Sequence, residues 1–154
     1  MVIFKKNNFQ KVKEITWDDI IKKMENEFLL GTAAVHTSED GSPTIVLHNP
    51  NQTQAIFDAV KEIEKLWTTT GCHVYISFAN NATTFGRHKD DTNVLIVGAI
   101  GQTSYEFDDG RIYTVTPGDS LYIPAGVYHN PIVRSRRAIL SISTKQSPIK
   151  SVIV

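Results

Sequence analysis

Residues 118–129, GDSLYIPAGVYH, are the stretch that decides the fold of this chain. A turn at its first glycine leads into a short apolar run, and a second turn, at Pro124 and Gly126, follows before His129. Proline fixes φ and glycine permits unusual backbone angles, so the histidine is presented at the start of a strand after a tight bend. A strand that only filled a core would not need this arrangement, which indicates a functional histidine.

A second polar group lies upstream, at His88-Lys89-Asp90. In an extended strand alternate residues share a face, so the imidazole and the carboxylate point the same way. With His129 as a third ligand they form the two-histidine, one-carboxylate set of non-haem Fe(II) sites, although zinc, nickel or manganese could occupy the same ligands. Asp91 faces the other way in a regular strand, and only a β-bulge would let it replace Asp90.

The composition limits the class of protein. A chain of 154 residues is long enough for one domain with a real core. Its 16 basic and 16 acidic residues leave no net charge to attract nucleic acid or an anionic membrane. Cys72 is the single cysteine, so a disulfide framework is excluded and a small buried hydrophobe is expected. No apolar run resembles a membrane span or a signal peptide, and we therefore expect a cytoplasmic protein.

Two helices are predicted in the N-terminal half. Residues 16–19 have the form of a capping box, apolar residues then recur at helical spacing over 17–29, and a glycine is placed to end the helix. Residues 52–67 carry an apolar stripe opposite a charged one, which predicts a second helix capped by Asn49 or Asn51.

The remainder of the chain is rich in β-prone runs. A short strand is predicted at residues 44–48, and six more at 73–79, 93–100, 103–107, 111–115, 120–123 and 137–143. Asp108-Asp109-Gly110 is a hairpin turn signal between two of them. Residues 147–154 are either a final edge strand or a disordered tail. Short strands at regular spacing behind two helices predict a mainly β (α+β) sandwich or barrel with a helical cover.

The spacing within residues 118–129 is similar to the second motif of the cupin superfamily: glycine, five residues, proline, one residue, glycine, two residues, histidine. The first motif matches in part, through His88 and Gly101, but Asp90 stands at its second histidine. His-x-Asp with a distal histidine resembles the JmjC-like branch of cupins, whose members are Fe(II)- and 2-oxoglutarate-dependent oxygenases. This resemblance, over residues 72–143, implies a cupin-type double-stranded β-helix, or jelly-roll barrel, with two N-terminal helices.

The resemblance also implies an organisation and a chemistry. Residues 1–154 would form a single cupin-like domain, with 1–70 as a helical N-terminal cover and 72–143 as the barrel core. His88, Asp90 and His129 would bind Fe(II), and 2-oxoglutarate would be the cosubstrate for hydroxylation of a C–H bond. The chain departs from the second motif at Val133, where asparagine is usual.

Arg137 and Tyr75 are the candidates for holding the cosubstrate. In ribosomal-oxygenase cupins a basic residue usually follows the glycine that matches Gly101, whereas residues 102–105 here contain none. In other branches of the oxygenase superfamily an arginine on the strand after the distal histidine holds the carboxylate, and Arg137 opens such a strand. A planar guanidinium suits a bidentate carboxylate contact. The alternatives are a solvated surface arginine and, for Tyr75, an aromatic in the barrel core.

Three functions remain open from the sequence. The first is an Fe(II)/2-oxoglutarate-dependent oxygenase acting on an unidentified small molecule or peptide. The second is a metal-binding cupin of another class: a dioxygenase, an isomerase or a small-molecule binding protein. The third is a catalytically silent barrel whose helices serve in forming a homodimer. His36, His48 and His73 lie outside the motifs and are expected at the surface or in local hydrogen bonds.

Overall fold

The computed structural model describes residues 1–145 of the chain, so the predicted terminal strand or tail at 147–154 lies outside the described residues. Within the described part, no helix is long and apolar enough to cross a membrane. The elements, in chain order, are β1 (Ile3–Lys5), a 3-10 turn (Lys11–Glu14), α1 (Trp17–Leu30), β2 (Ala33–His36), β3 (Thr44–Leu47), α2 (Gln54–Glu64), β4 (Thr69–Ser77), β5 (Asn93–Ile100), β6 (Thr103–Phe107), β7 (Ile112–Val115), β8 (Ser120–Ile123), β9 (His129–Val133) and β10 (Arg137–Thr144).

Two antiparallel sheets form a jelly-roll barrel. The large sheet has seven strands in the order β1-β8-β5-β10-β4-β3-β2, and the small sheet has three in the order β7-β6-β9. One core cluster joins the large sheet to the helices, for example Leu140 and Val74 with Ile56 of α2. A second cluster joins the two sheets, for example Ile139 of β10 with Tyr105 of β6. The predicted mainly β barrel with two helices is confirmed.

The first helix forms as its sequence predicts. The Thr16 hydroxyl accepts a hydrogen bond from the Asp19 backbone N–H at 3.2 Å, and the Asp19 carboxylate accepts one from the Thr16 backbone N–H at 2.9 Å. This reciprocal pair satisfies two backbone donors that the first turn otherwise leaves free. The helix ends at Gly31, whose φ of 75° lies in the left-handed region.

Replacing Thr16 with alanine is expected to lower the free energy of unfolding by about 1 kcal/mol, because one capping acceptor is lost. Urea unfolding followed by circular dichroism measures this change. The matched control is Lys22→Ala, which removes an exposed side chain from the middle of the same helix. Equal losses in the two variants would contradict a capping role for Thr16.

The prediction of a helical cover over residues 1–70 is incomplete, because this segment also contributes β1, β2 and β3 to the large sheet. β1 pairs with β8, and β2 forms the opposite edge of the sheet beyond β3. Both unpredicted strands, β1 and β2, are three or four residues long. Runs this short show no clear alternation of apolar and polar residues, so they escape detection by pattern.

The predicted cap of the second helix is wrong. The residue at the N-cap of α2 is Thr53, and α2 is shorter at both ends than predicted. Asn49 and Asn51 are held by a buried ion pair of α1 instead. The Lys23 ammonium donates to the backbone carbonyls of Asn49 at 3.1 Å and Asn51 at 2.8 Å, and it lies 2.6 Å from the Glu27 carboxylate.

Candidate metal centre

Three side chains from the two sequence motifs meet at one end of the barrel. His88, Asp90 and His129 each offer a ligand atom, and these atoms all lie within 4.8 Å of one another. Nε2 of His88 is 3.8 Å from one oxygen of the Asp90 carboxylate, and Nε2 of His129 is 3.5 Å from the other. The structure therefore brings together the three residues that the sequence analysis named as metal ligands, and Asp91 is an exposed neighbour outside the cluster.

Backbone hydrogen bonds lock the two motifs against each other. His88 and His129 exchange N–H···O=C bonds of 2.9 and 2.8 Å in an isolated antiparallel bridge. The Asp90 carbonyl accepts a hydrogen bond of 2.9 Å from Gly126, whose φ of 82° is a left-handed conformation suited to glycine. The two ligands from the first motif thus lie in an irregular segment before β5, and not in the regular strand that the sequence analysis assumed.

The hydrogen bonds of the two imidazoles set their tautomers. Nδ1 of His88 lies 2.7 Å from the carbonyl of Gly86, and Nδ1 of His129 lies 3.0 Å from that of Val127. A carbonyl can only accept, so we assign the ring proton to Nδ1 in both residues. In the neutral rings both Nε2 atoms then turn lone pairs toward the Asp90 carboxylate.

This donor set fits a divalent cation. Three electron-pair donors converge with no proton between them, and a cation among them would relieve their mutual repulsion. Burial lowers the pKa of His129, which favours the neutral ring that metal binding requires. The backbone carbonyls that fix Nδ1 are the kind of supporting contact that orients a ligating histidine.

Acidification is expected to destabilise the metal-free protein through His129. Its pKa is lowered in the folded state, so below its ordinary value of about 6.5 the unfolded chain takes up a proton first. The stabilising contribution is therefore complete above that pH and is lost as the pH falls through the folded pKa. Urea unfolding at about pH 7.5 and about pH 5.5 measures the effect. The decrease in the free energy of unfolding between these two pH values is expected to be smaller in His129→Asn than in the wild-type protein. An equal decrease in both proteins would show that His129 is not the group responsible.

The cluster opens into a cavity of about 250 Å³ between the two sheets. Its walls come from β2, β3, β4, β5 and β10 of the large sheet, from β6 and β9 of the small sheet, and from the segment between β4 and β5. The lining residues are His36, Thr44, His73, Tyr75, Thr83, Thr84, Phe85, His88, Asp90, Thr92, Val94, Ile96, Tyr105, His129, Pro131, Arg137, Ser141 and Ser143.

Arg137 lies inside this cavity and is only 2% exposed, so the alternative of a solvated surface arginine is wrong. Its Nε donates to the Ser77 hydroxyl at 3.0 Å, and Nη1 donates to the Thr103 hydroxyl at 3.4 Å. Burial lowers the pKa of Arg137, against the opposing effect of the hydroxyls of Tyr105 and Tyr75. Within residues 1–145 it forms no ion pair with a carboxylate. A buried guanidinium whose hydrogen-bond partners are neutral hydroxyls is able to pair with an anion.

A basic side chain from the large sheet reaches the part of the small sheet near residues 102–105. The Arg137 guanidinium reaches the hydroxyl of Thr103, on the strand where the sequence comparison expected a lysine or arginine. Tyr75 is half-buried in the cavity wall, and burial together with the Asp90 carboxylate raises its pKa. Burial raises the pKa of Tyr105 to about 12. Both tyrosines are therefore neutral hydrogen-bonding groups near neutral pH.

Several cavity residues were missed in the sequence analysis. Tyr105 was not named as a site residue, and neither was Ser77, which lies behind the cavity wall as a hydrogen-bond partner of Arg137. His36 and His73, expected to be surface or local residues, line the cavity. Alternation along β4 was the available signal, because Ser77 and His73 lie on the same face as the candidate Tyr75. His48 is exposed, as expected.

The fold and the site together define a cupin-type double-stranded β-helix with a two-histidine, one-carboxylate cluster. Solved structures with this fold include YcfD, a ribosomal oxygenase from Escherichia coli, in complex with cobalt and 2-oxoglutarate. Its identity to this chain is 16% and its TM-score 0.71, over 99% of this chain and 50% of that one. A Pseudomonas putida prolyl-4-hydroxylase has 11% identity and a TM-score of 0.62, over 94% of this chain and 92% of that one. A cupin superfamily protein from Desulfitobacterium hafniense has 13% identity and a TM-score of 0.50, over 71% of this chain and 84% of that one.

At these identities the likeness establishes the fold. The chain spans about half the length of the YcfD structures that it matches. No protein-family model matches the sequence, and no curated protein matches it. The predicted cupin-type fold is therefore confirmed.

Proposed function

We propose that this protein is an Fe(II)- and 2-oxoglutarate-dependent oxygenase that hydroxylates a substrate. The observation that carries the proposal is the buried Arg137, which shares a cavity with the His88, Asp90 and His129 cluster and has no acidic partner within residues 1–145. A cation site and a buried anion site in one cavity match the two ends of 2-oxoglutarate, whose keto acid group binds metal and whose distal group is a carboxylate. The shared fold with YcfD and prolyl-4-hydroxylase supports the same function.

Separate groups of this chain would bind the metal and the cosubstrate. Nε2 of His88, Nε2 of His129 and the Asp90 carboxylate would hold Fe(II). The Arg137 guanidinium, positioned by its hydrogen bonds to the hydroxyls of Thr103 and Ser77, would hold the distal carboxylate. Charge-assisted hydrogen bonds of this kind are about twice as strong as neutral ones.

Bound Fe(II) would supply the redox chemistry and leave coordination positions for 2-oxoglutarate and O₂. In the overall reaction 2-oxoglutarate loses CO₂ and takes one oxygen atom to become succinate. The second oxygen atom is inserted into a C–H bond of the substrate. The apolar side chains of Val94 and Ile96 in the cavity wall would help to exclude water from this reaction.

Two measurements on the purified protein test the proposal. Calorimetry on protein loaded with Zn(II), without O₂, is expected to show binding of 2-oxoglutarate. With Fe(II) and O₂, the protein is expected to convert 2-oxoglutarate to succinate. A filled metal site without affinity for 2-oxoglutarate would contradict the proposal and indicate a metal-binding cupin of another class. Failure to bind any metal would indicate a catalytically silent barrel.

We also propose a homodimer that forms through the β2 edge of the large sheet, which has no partner strand within residues 1–145. β2 is the last strand of that sheet, and Val35 on it is 50% exposed. Pairing two such edges would satisfy backbone groups that are otherwise left to solvent. Sedimentation analysis of the wild-type protein and of Val35→Pro is expected to give a dimer and a monomer, and a monomeric wild-type protein would contradict this assembly.

A further inference from the structure

The cavity has a second polar region, formed by His73, Ser141 and Ser143. His73 of β4 and Ser141 of β10 are directly opposite each other in the sheet, and Ser143 lies two residues further along β10 on the same face. All three are half-buried and line the cavity. They therefore form one continuous polar wall.

This wall lies at the other end of β10 from Arg137. Ser141 is four residues beyond Arg137, a separation of roughly 13 Å along an antiparallel strand. Tyr75 lies between them, since it pairs with Ile139, and the Asp90 carboxylate acts on the pKa of this tyrosine. Asp90 lies three residues before β5, whose first residues, Asn93 and Val94, pair with Thr144 and Ser143, so the metal-ligand cluster lies toward the polar-wall end of β10 and away from Arg137.

The polar wall contains side chains that are free to hydrogen-bond with a ligand. Among residues 1–145, the side chains of His73 and Ser143 make no hydrogen bond, and Ser141 lies beside the Tyr75 hydroxyl. Burial, followed by the neighbouring His48, lowers the pKa of His73, so its ring is neutral near neutral pH. A neutral imidazole and two hydroxyls both donate and accept hydrogen bonds.

The charged side chains that line the cavity do not belong to the polar wall. Apart from its histidines, the ionisable lining groups that are charged near neutral pH are Asp90 and Arg137 within the described chain. In the proposed function Asp90 serves the metal, and Arg137 serves the distal carboxylate of 2-oxoglutarate. A charged group entering at the polar wall would meet no oppositely charged lining residue within residues 1–145, because the nearby Glu27 carboxylate, which acts on the pKa of His73, is already paired with Lys23. Leaving a charge without a partner in a half-buried site is costly.

From this arrangement, and resting on the proposed function, we infer that His73, Ser141 and Ser143 form the substrate subsite and that it takes an uncharged hydrogen-bonding group, such as an amide or a hydroxyl. Phe85 lies over the same cavity, 47% exposed and in edge contact with the ring of His36 at 4.6 Å. Its ring supplies an apolar surface for the part of the substrate that reaches solvent.

The test uses three probes that differ in charge: the N-acetyl amides of asparagine, lysine and aspartate. Their binding is measured by calorimetry on the full-length protein loaded with Zn(II) and 2-oxoglutarate, without O₂. The asparagine probe is expected to bind at least about 10-fold more tightly than either charged probe. Its affinity is expected to fall about 10-fold in Ser141→Ala and in His73→Phe, which corresponds to the loss of one or two hydrogen bonds.

The matched control is Thr68→Ala, which removes an exposed hydroxyl outside the cavity and should leave probe binding unchanged. The affinity for 2-oxoglutarate should be the same in all of these variants, which separates a local effect from misfolding. Binding of a charged probe as tight as that of the asparagine probe, or no binding of the asparagine probe, would overturn the inference. Absence of 2-oxoglutarate binding in the wild-type protein would instead refute the proposed function.

Discussion

Asp90→Ala is expected to lower the affinity for divalent metal by more than about 100-fold and to reduce succinate formation to background. The substitution removes the one negative charge among the three converging donors. Even changes to groups that only support a metal ligand cost about 10- to 100-fold in affinity, and loss of a ligand should cost more. The Asp90 side chain is 37% exposed, so alanine should leave no large cavity and the fold should persist.

Asp91→Ala is the matched control, because it removes the same functional group from the adjacent, exposed position. Metal affinity can be measured by competition with a chromophoric chelator, and thermal unfolding of the metal-free proteins establishes that both variants fold. The control is expected to bind metal like the wild-type protein. If the two variants lost affinity equally, or if the Asp90 variant retained full affinity, His88, Asp90 and His129 would not be the metal site.

Arg137→Gln is expected to raise the dissociation constant for 2-oxoglutarate by roughly 30- to 3000-fold. This range corresponds to about 2–5 kcal/mol, the usual cost of removing one partner of a buried, hydrogen-bonded charge pair. Metal affinity should not change, since Arg137 hydrogen-bonds to Ser77 and Thr103 and, among the bonds within residues 1–145, to none of the three metal-ligand side chains. The metal-free variant should be no less stable than the wild-type protein, because a buried cation without an acidic partner is removed.

The adjacent, exposed Arg136 provides the comparison, and Arg136→Gln should leave 2-oxoglutarate binding intact. Arg137→Lys retains the charge but loses the planar fork, so an intermediate affinity is expected. Calorimetry on the Zn(II)-loaded proteins gives all of these constants. Unchanged 2-oxoglutarate affinity in Arg137→Gln would remove the main support for the proposed function.

Elements with strong local signals were predictable from the sequence. The capping residues Thr16 and Asp19 and the terminating Gly31 determine the first helix within a few residues of its ends. The strands β5, β6 and β8 match the predicted runs residue for residue, because each is a β-prone run bounded by turn residues. The predicted hairpin turn at Asp108-Asp109-Gly110 joins β6 to β7, with Gly110 at a φ of 87°.

Features that depend on distant pairing were not predictable. Within the described residues β1 joins the large sheet through β8, which lies more than a hundred residues later in the chain. The sequence around Ile3–Lys5 contains no pattern that predicts this pairing. The same holds for the surroundings of Arg137. Its contacts with Ser77 and Thr103 depend on how β10 is paired and how the two sheets face each other. The metal cluster was accessible to sequence reasoning because its residues lie in two short motifs with definite spacing.

The position of β10 in the large sheet fixes the spacing between the side chains that it contributes to the cavity. β10 is hydrogen-bonded on both sides, to β5 and β4, and carries Arg137 and Ser141 on one face. A single-residue insertion between them would turn one of these side chains toward the helices. The distance from Arg137 to Ser141 is therefore a fixed length set by backbone geometry. If these residues hold the cosubstrate and the substrate as proposed, exchanging side chains at positions 141 and 143, or rebuilding the segment around Phe85, would change the substrate while the cosubstrate site stays the same.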